Sequence, residues 1–402
     1  MTASQDTTPQ TAREPASSDH RLRLIVILGA LTAIAPLSID MYLPALPRLT
    51  ADLSTGAMRA QLTLTACVVG LATGQAIAGP LSDRWGRRRP LLIGLLAYSV
   101  ASLLCVVAPT VEAFIAFRLI QGAAGAAGIV IARAVVRDLY DGVAAAKFFS
   151  MLMLVNGLAP ILAPVLGGQL LRVTPWPGIF AVLSAIGVAM FLSALLGMRE
   201  TLPPEHRGTH GMAFRTLLSE RAFIAYAASG GLAFAAMFTY ISGSPFVLQQ
   251  IYGLSPQTFS IVFGVNALGI VLAGQLSGRL AGRVALGRLL AAGLAIVATG
   301  GAGLLIAVLA GLGLPAVLPA LFLVVAGQGL VLPNATALAL SGRPANVAGS
   351  ASALLGLAQF GIGGAAAPLA GILGPDTAVP MAVTIAATAL AAALAARVAS
   401  KN

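Results

Sequence analysis

Apolar residues along this chain gather in stretches of about twenty, separated by short breaks rich in arginine, proline or glycine. A helix needs ~20 apolar residues to cross a hydrocarbon layer of ~30 Å. Twelve stretches meet that length: residues 22–46, 60–80, 90–108, 111–132, 148–171, 176–197, 222–248, 257–278, 288–310, 315–340, 347–371 and 378–396. About twenty polar residues precede the first stretch without a small-residue cleavage site, so a cleaved signal peptide is not expected.

One polar break is long. Residues 198–221 contain Pro203, Pro204, Gly208 and Gly211 and divide the twelve stretches six and six. The expected organisation is a tail (1–21), a six-helix unit (22–197), the linker (198–221), a second six-helix unit (222–396) and a short end (397–402). The two units echo one another. GQAIAGPLSDRWGR (74–87) is similar to IVLAGQLSGRLAGR (270–283), and Gln121 with its glycine neighbour is similar to Gln328 with its own. Pro164 and Gly167 have counterparts in Pro368 and Gly371, again about 200 residues on. Three echoes in order argue for a duplicated bundle.

Composition narrows the class. The 402 residues are 58% apolar and 9% charged, against about 25% charged in soluble domains, which excludes a soluble enzyme and a disordered chain. Cys67 and Cys105 lie alone in apolar stretches, giving no disulfide framework. His206 and His210, four apart in the polar linker with no cysteine nearby, read as a solvated loop, so no metal is expected. The net charge of +11 is scattered between apolar runs and makes no nucleic-acid face. It serves orientation instead. With both termini on one side, 20 of the 24 basic residues fall there, three (Arg48, Arg59, Arg172) fall opposite, and Arg118 lies within a span. By the positive-inside bias both termini are expected in the cytoplasm.

Three groups of residues go beyond what a plain span needs. The first runs from Gly79 to Pro90 between spans 2 and 3, with Asp83, Arg84, Gly86, Arg87 and Arg88 in a Gly-x-Leu-x-Asp-Arg-x-Gly-Arg-Arg spacing. Gly79 would let helices approach closely, and Gly86 would allow a tight turn. The second is NGLAPILAPVLGG (156–168) on span 5, where Pro160, Pro164, Gly157, Gly167 and Gly168 are costly in a helix interior and predict a bent, closely packed segment. The third is a pair of intramembrane charges. Asp40 lies about seven residues before the end of span 1, and Arg118 about seven after the start of span 4, so both sit ~10 Å below the same rim. Each is expensive in lipid and is expected to face the interior, near enough to interact directly or through water.

The first loop resembles the signature of the major facilitator superfamily, and the resemblance covers essentially the whole chain. It implies an all-α polytopic membrane protein: twelve transmembrane helices in two pseudo-symmetric six-helix bundles. It also implies that the loop is a charge latch stabilising the outward-facing state, and Gly282 stands where Asp83 would in the second copy. Span 5 resembles the antiporter signature of drug exporters, with Ala163-Pro164 in place of Gly-Pro. DMYLPALP (40–47) and RLIQG (118–122) resemble the span-1 and span-4 motifs of the bicyclomycin and chloramphenicol resistance subfamily of drug:proton antiporters. By that resemblance Asp40 carries the proton and meets the drug, while Arg118 tunes it.

Further polar and aromatic residues could complete a mostly apolar drug pocket: Tyr42, Gln121, Asn156, Phe234, Tyr240 and Asn266, with Phe246, Gln328, Asn334 and Gln359 behind them. The expected function is proton-coupled efflux of small, mainly hydrophobic drugs or antibiotics by a monomer in a bacterial cell membrane. The alternative is a proton-linked transporter of a single metabolite on the same fold. No convergent catalytic set and no Walker-type phosphate loop is present, so neither an enzyme nor a cofactor is expected.

Overall fold

The computed structural model describes residues 18–140, 142–203, 217–341, 345–374 and 376–399. The tail before residue 18 and most of the linker, including His206 and His210, lie outside them. The chain is a succession of long helices: α1 (Ser18–Asp40), a short α2 (Leu46–Asp52), α3 (Ala57–Trp85), α4 (Arg88–Val106), α5 (Val111–Leu139), α6 (Gly142–Leu170) and α7 (Pro177–Gly197). The second half carries α8 (Arg221–Phe246), α9 (Pro256–Leu280), α10 (Leu286–Leu309), α11 (Leu314–Leu340), α12 (Ala345–Ala366) and α13 (Val379–Ala399). Eleven of the twelve long helices are long and apolar enough to cross a membrane; in the twelfth, α6, the described apolar stretch is Gly157–Leu170.

Two expected boundaries are corrected. Span 1 does not run unbroken to residue 46. Helix α1 stops at Asp40, a single turn of 3-10 helix follows at Leu43–Ala45, and α2 begins at Leu46. Pro44 and Pro47 lack the N–H groups that would continue α1, and proline suits the first turn of a new helix. Conversely, Gly79–Trp85 is not loop. Helix α3 continues through it, and the connection to α4 is only Gly86 and Arg87. Charged residues end an apolar span without ending a helix.

The duplication is visible in the packing. In the first half α1 packs on α5 and α6, α3 on α5, and α4 on α5 and α7. In the second, α8 packs on α11 and α12, α9 on α11, and α10 on α11 and α13. One close approach recurs: a Cβ on Gly122 of α5 would strike the Cys67 carbonyl of α3, and one on Gly329 of α11 would strike the Ile270 carbonyl of α9. Glycine is what lets these backbones meet, as is usual where van der Waals contact drives helix association in lipid. The helix ends reset the register of the loop echo. Gly86 (φ 88°) directly follows its helix, whereas Gly282 (φ 85°) follows Ala281, so counted back from the helix ends Gly278, not Gly282, stands where Asp83 does.

The halves are hydrogen-bonded to each other at one end. Gln61 Nε2 donates to the Ser242 carbonyl (3.4 Å), Thr65 Oγ1 to the Gly364 carbonyl (3.0 Å) and Gln257 Nε2 to the Gly168 carbonyl (2.8 Å). Among the described residues these are the hydrogen bonds that cross between halves, and all lie toward the end that carries Asp40.

Candidate functional site: a buried carboxylate and arginine between two helical bundles

Asp40 is the last residue of α1 and is 6% exposed. It makes no hydrogen bond or ion pair with any described side chain. The segment that follows it, Leu43–Ala45, packs on α6 of its own half and on α8 and α9 of the other. Asp40 therefore sits at the joint between the halves, within electrostatic reach of Tyr240 on α8.

Arg118, on α5, is fully buried. Of the two expected modes of interaction with Asp40, the direct one is absent. One guanidinium nitrogen donates to Gln121 Oε1 one turn along, and Nη2 donates to the backbone carbonyl of Ser38 at 2.9 Å. The Ser38 carbonyl is one of the last four of α1, which have no partner within the helix. A cation there also meets the negative end of the helix dipole. The guanidinium carbon lies 4.5 Å from the ring centroid of Tyr42 and 5.5 Å from that of Phe180, and Nε has no partner. Arg118 thus caps the helix that ends in Asp40, two residues away from the carboxylate, and all its contacts are neutral.

A hydrogen-bonded shell fixes this arrangement. Gln121 Nε2 donates to Ser102 Oγ (2.7 Å), Tyr42 and Thr63 share a hydroxyl bond (2.8 Å), and Ser38 Oγ bonds Tyr98 (2.8 Å). Phe114 meets Tyr42 edge-on and Phe180 meets it at a tilt, while Trp176 and Phe180 each pack edge-on against Phe114. Thr63, Tyr98 and Ser102 were not legible as site residues, because each alone resembles an ordinary packing residue.

Across the joint, Asn266 Nδ2 donates to the Tyr240 hydroxyl at 2.9 Å, and Tyr240 stacks on Phe263. Phe234 stacks on Phe238 and meets Phe360 edge-on. Tyr240 and Asn266 are brought together, within electrostatic reach of Asp40; Tyr42 and Gln121 join Arg118 instead. The side chain of Asn156 lies outside the described residues. Gln328 and Asn334 tie helices, donating to the Ala233 carbonyl and to Ser277 Oγ, each at 2.7 Å. On α6, which keeps its helix through Pro160 and Pro164, a Cβ on Gly167 would collide with the Met41 carbonyl, beside Asp40, and one on Gly168 would crowd Ser260 of the second half. Gly157 faces Val271 more loosely, at 3.3 Å.

At the opposite end, Arg87 organises the α3–α4 connection. Its Nε donates to Asp138 Oδ2 (2.9 Å), and Nη1 donates to Ser82 Oγ (2.9 Å) and to Asp83. Partial burial opposes its charge, but the bonds to Asp138 and Asp83 outweigh this and hold the guanidinium pKa above its ordinary value. Thr201 Oγ1 also donates to Asp138 (2.9 Å). Arg88 is anchored by a bond to the Leu195 carbonyl (2.8 Å), whereas Arg84 is exposed. Gly86 makes the expected tight turn, but Gly79 does not mark a close approach: its Cβ position is 3.8 Å from Val130.

Two acids in this cluster, Asp138 and Glu200, were missed; a carboxylate within a few residues of an arginine-rich turn was the available signal. Glu200 accepts backbone N–H bonds from Arg87 (2.7 Å), Arg88 (3.2 Å), Thr201 (3.1 Å) and Leu202 (3.0 Å). Partial burial works against this carboxylate, yet the four N–H groups hold it below the usual carboxylate range. Glu200→Gln is therefore expected to lower stability by about 1 kcal/mol, a charged hydrogen bond discounted for its wet edge. The difference from wild type, read as melting temperature in detergent, is full above the unfolded value of about 4.3. It fades as pH falls through the depressed folded value. A constant difference across that range would refute it.

Similarity to known proteins agrees with this geometry. The Major Facilitator Superfamily description fits residues 28–368. The chain belongs to that superfamily. It is 41% identical over 369 residues to an uncharacterized MFS-type transporter, YdgK, of Bacillus subtilis (strain 168), covering 90% of this chain and 91% of that one. It is 30% identical over 362 residues to a bicyclomycin resistance protein homolog of Haemophilus influenzae, covering 89% and 91%. The crystal structure of the nucleoside transporter NupG superposes with a TM-score of 0.76 at 13% identity, over 94% of this chain and 99% of that one, and shares the fold. This major facilitator is a multi-pass membrane transporter for small molecules.

Proposed function

We propose that this transporter exports small, mainly hydrophobic drugs or antibiotics in exchange for protons, by alternating access between its two six-helix bundles (22–197 and 222–396). One observation carries the reading. Among the described residues a single carboxylate is buried, Asp40, and it stands where the halves meet, with no fixed cation bound to it and with the Asn266-bonded Tyr240 of the other half within electrostatic reach. A carboxylate so placed can hold a proton or face a drug, and rocking of the halves changes what it meets. Arg118, which grips the same helix end, couples the local field to that choice.

The name of the Haemophilus relative supports a drug as substrate. The charge bias supports cytoplasmic termini, and the bacterial relatives support a bacterial cell membrane; we take the monomer as the working unit. The Asp83–Arg87–Asp138 cluster acts as the cytoplasmic latch, and a cavity of about 340 Å³ lined by Asp83, Arg87, Arg137 and Asp138 leaves it room to rearrange. The decisive experiment is uptake into proteoliposomes. A pH gradient is expected to drive a hydrophobic drug uphill with saturable kinetics, and a protonophore to abolish it. Uphill movement of one metabolite, with drug susceptibility unchanged in cells, would replace this reading with the metabolite transporter.

A further inference from the structure

Beside the latch, but on the outer surface of the bundle, the ends of α3 and α4 border an open groove of about 480 Å³. It is lined by Trp85, Arg89, Leu92 and Ile93. Trp85 is 46% exposed and Ile93 60%. Arg89 is exposed and makes no hydrogen bond or ion pair with any described residue, whereas Arg87 in the turn and Arg88 just after it are engaged. From Arg89 the exposed face of α4 continues as Ile93, Leu96, Val100 and Leu103 at helical spacing. That is a cation followed by an apolar track of ~20 Å at 1.5 Å per residue.

We infer that this groove is a binding site for an anionic phospholipid, its phosphate on Arg89 and an acyl chain along Ile93 and Leu96. A guanidinium presents paired N–H donors that match two phosphate oxygens. Trp85 places an amphipathic ring at headgroup depth, and the track is long enough for a chain reaching the ~15 Å to mid-bilayer. The charge balance selects the headgroup. The lining holds no carboxylate or other acceptor side chain for an ammonium, and the nearby acids Asp83 and Glu200 are already bound to Arg87 and to backbone N–H groups. A zwitterionic headgroup is net neutral and brings a second cation toward Arg89, whereas phosphatidylglycerol brings a net negative charge that Arg89 attracts. The inference does not depend on what the transporter carries.

The chain has two tryptophans, so Trp176→Phe leaves Trp85 as the sole reporter. The protein is reconstituted in phosphatidylcholine bilayers containing either chain-brominated phosphatidylglycerol or chain-brominated phosphatidylcholine. Trp85 quenching is expected to reach half-maximum at about fivefold less phosphatidylglycerol, the worth of one arginine beside an anionic headgroup. Arg89→Gln should remove that preference, and Arg84→Gln should keep most of it. Equal quenching by the two lipids overturns the site. So does an equal loss in Arg84→Gln, which would mean diffuse surface attraction, or relief by soluble glycerol phosphate, which would mean a phosphate site without a chain. If Trp176→Phe does not fold, the same curve is taken as wild type minus Trp85→Phe, with the same outcomes.

Discussion

Asp40→Asn is expected to abolish proton-driven accumulation of drug while leaving downhill movement intact. A proton entering across ~150 mV releases about 3.5 kcal/mol, enough to hold a gradient of a few hundredfold. All of that accumulation should vanish in proteoliposomes, because asparagine cannot carry a proton at this position. The fold should survive. Asparagine matches aspartate in shape, and Asp40 has no ion pair to lose. Binding of a neutral drug should change little, whereas that of a cationic drug should weaken, since the carboxylate that would face it is gone. Uphill export of a neutral drug by Asp40→Asn on a pH gradient would place the proton elsewhere and defeat the mechanism.

The architecture was legible because the length of an apolar run reports the thickness to be crossed, a local property. Helix ends were less so. Hydropathy marks where lipid stops, and α3 runs on through Ser82 and Asp83 to Trp85 because those residues tolerate helix in water. In α1 the reverse holds: Met41 and Leu43 remain apolar, but Pro44 has no N–H to give. Asp40 and Arg118 stood out because ionisable residues are costly in hydrocarbon, and helical rise put them at one depth. Their geometry was not legible, since depth does not say where a side chain points. Arg118 reaches past Asp40 to the Ser38 carbonyl. Gly79 and Gly122 look alike in the chain, yet only Gly122 lies against a neighbouring backbone. Asp138 and Glu200 escaped notice because an acid near a helix end is ordinary until a turn such as Gly86–Arg87 folds onto it.

Arg118→Met should leave the protein as stable as wild type or more so, and yet uncoupled. The guanidinium is fully buried, and its partners are Gln121, the Ser38 carbonyl and the rings of Tyr42 and Phe180, with no carboxylate bridging it among the described residues. Removing an ion from water costs several kcal/mol even after relaxation. Hydrogen bonds from a charged group return about 1.5–3 kcal/mol each, and ring contacts return about 0.5–2 kcal/mol. Methionine fills much of the same space without the desolvation cost, and its sulfur can sit against the rings. Gln121 keeps its bond to Ser102. Replacing a buried ion pair with apolar side chains of similar volume is commonly neutral or stabilising by about 1–4 kcal/mol. A lone buried cation has no opposite charge to offset its desolvation, and the saving on removing it outweighs the loss at the Ser38 carbonyl and Gln121 Oε1, so the melting temperature in detergent should hold or rise. Arg118→Ala instead opens a cavity and should lower it. In proteoliposomes both variants should lose proton-driven export, because the charge that sets the field at the end of α1 is gone. A Met variant that unfolds would make Arg118 a structural cap; one that still pumps would remove it from the coupling. A stable variant that cannot pump would mean that the buried charge is kept for transport, at a cost to the fold.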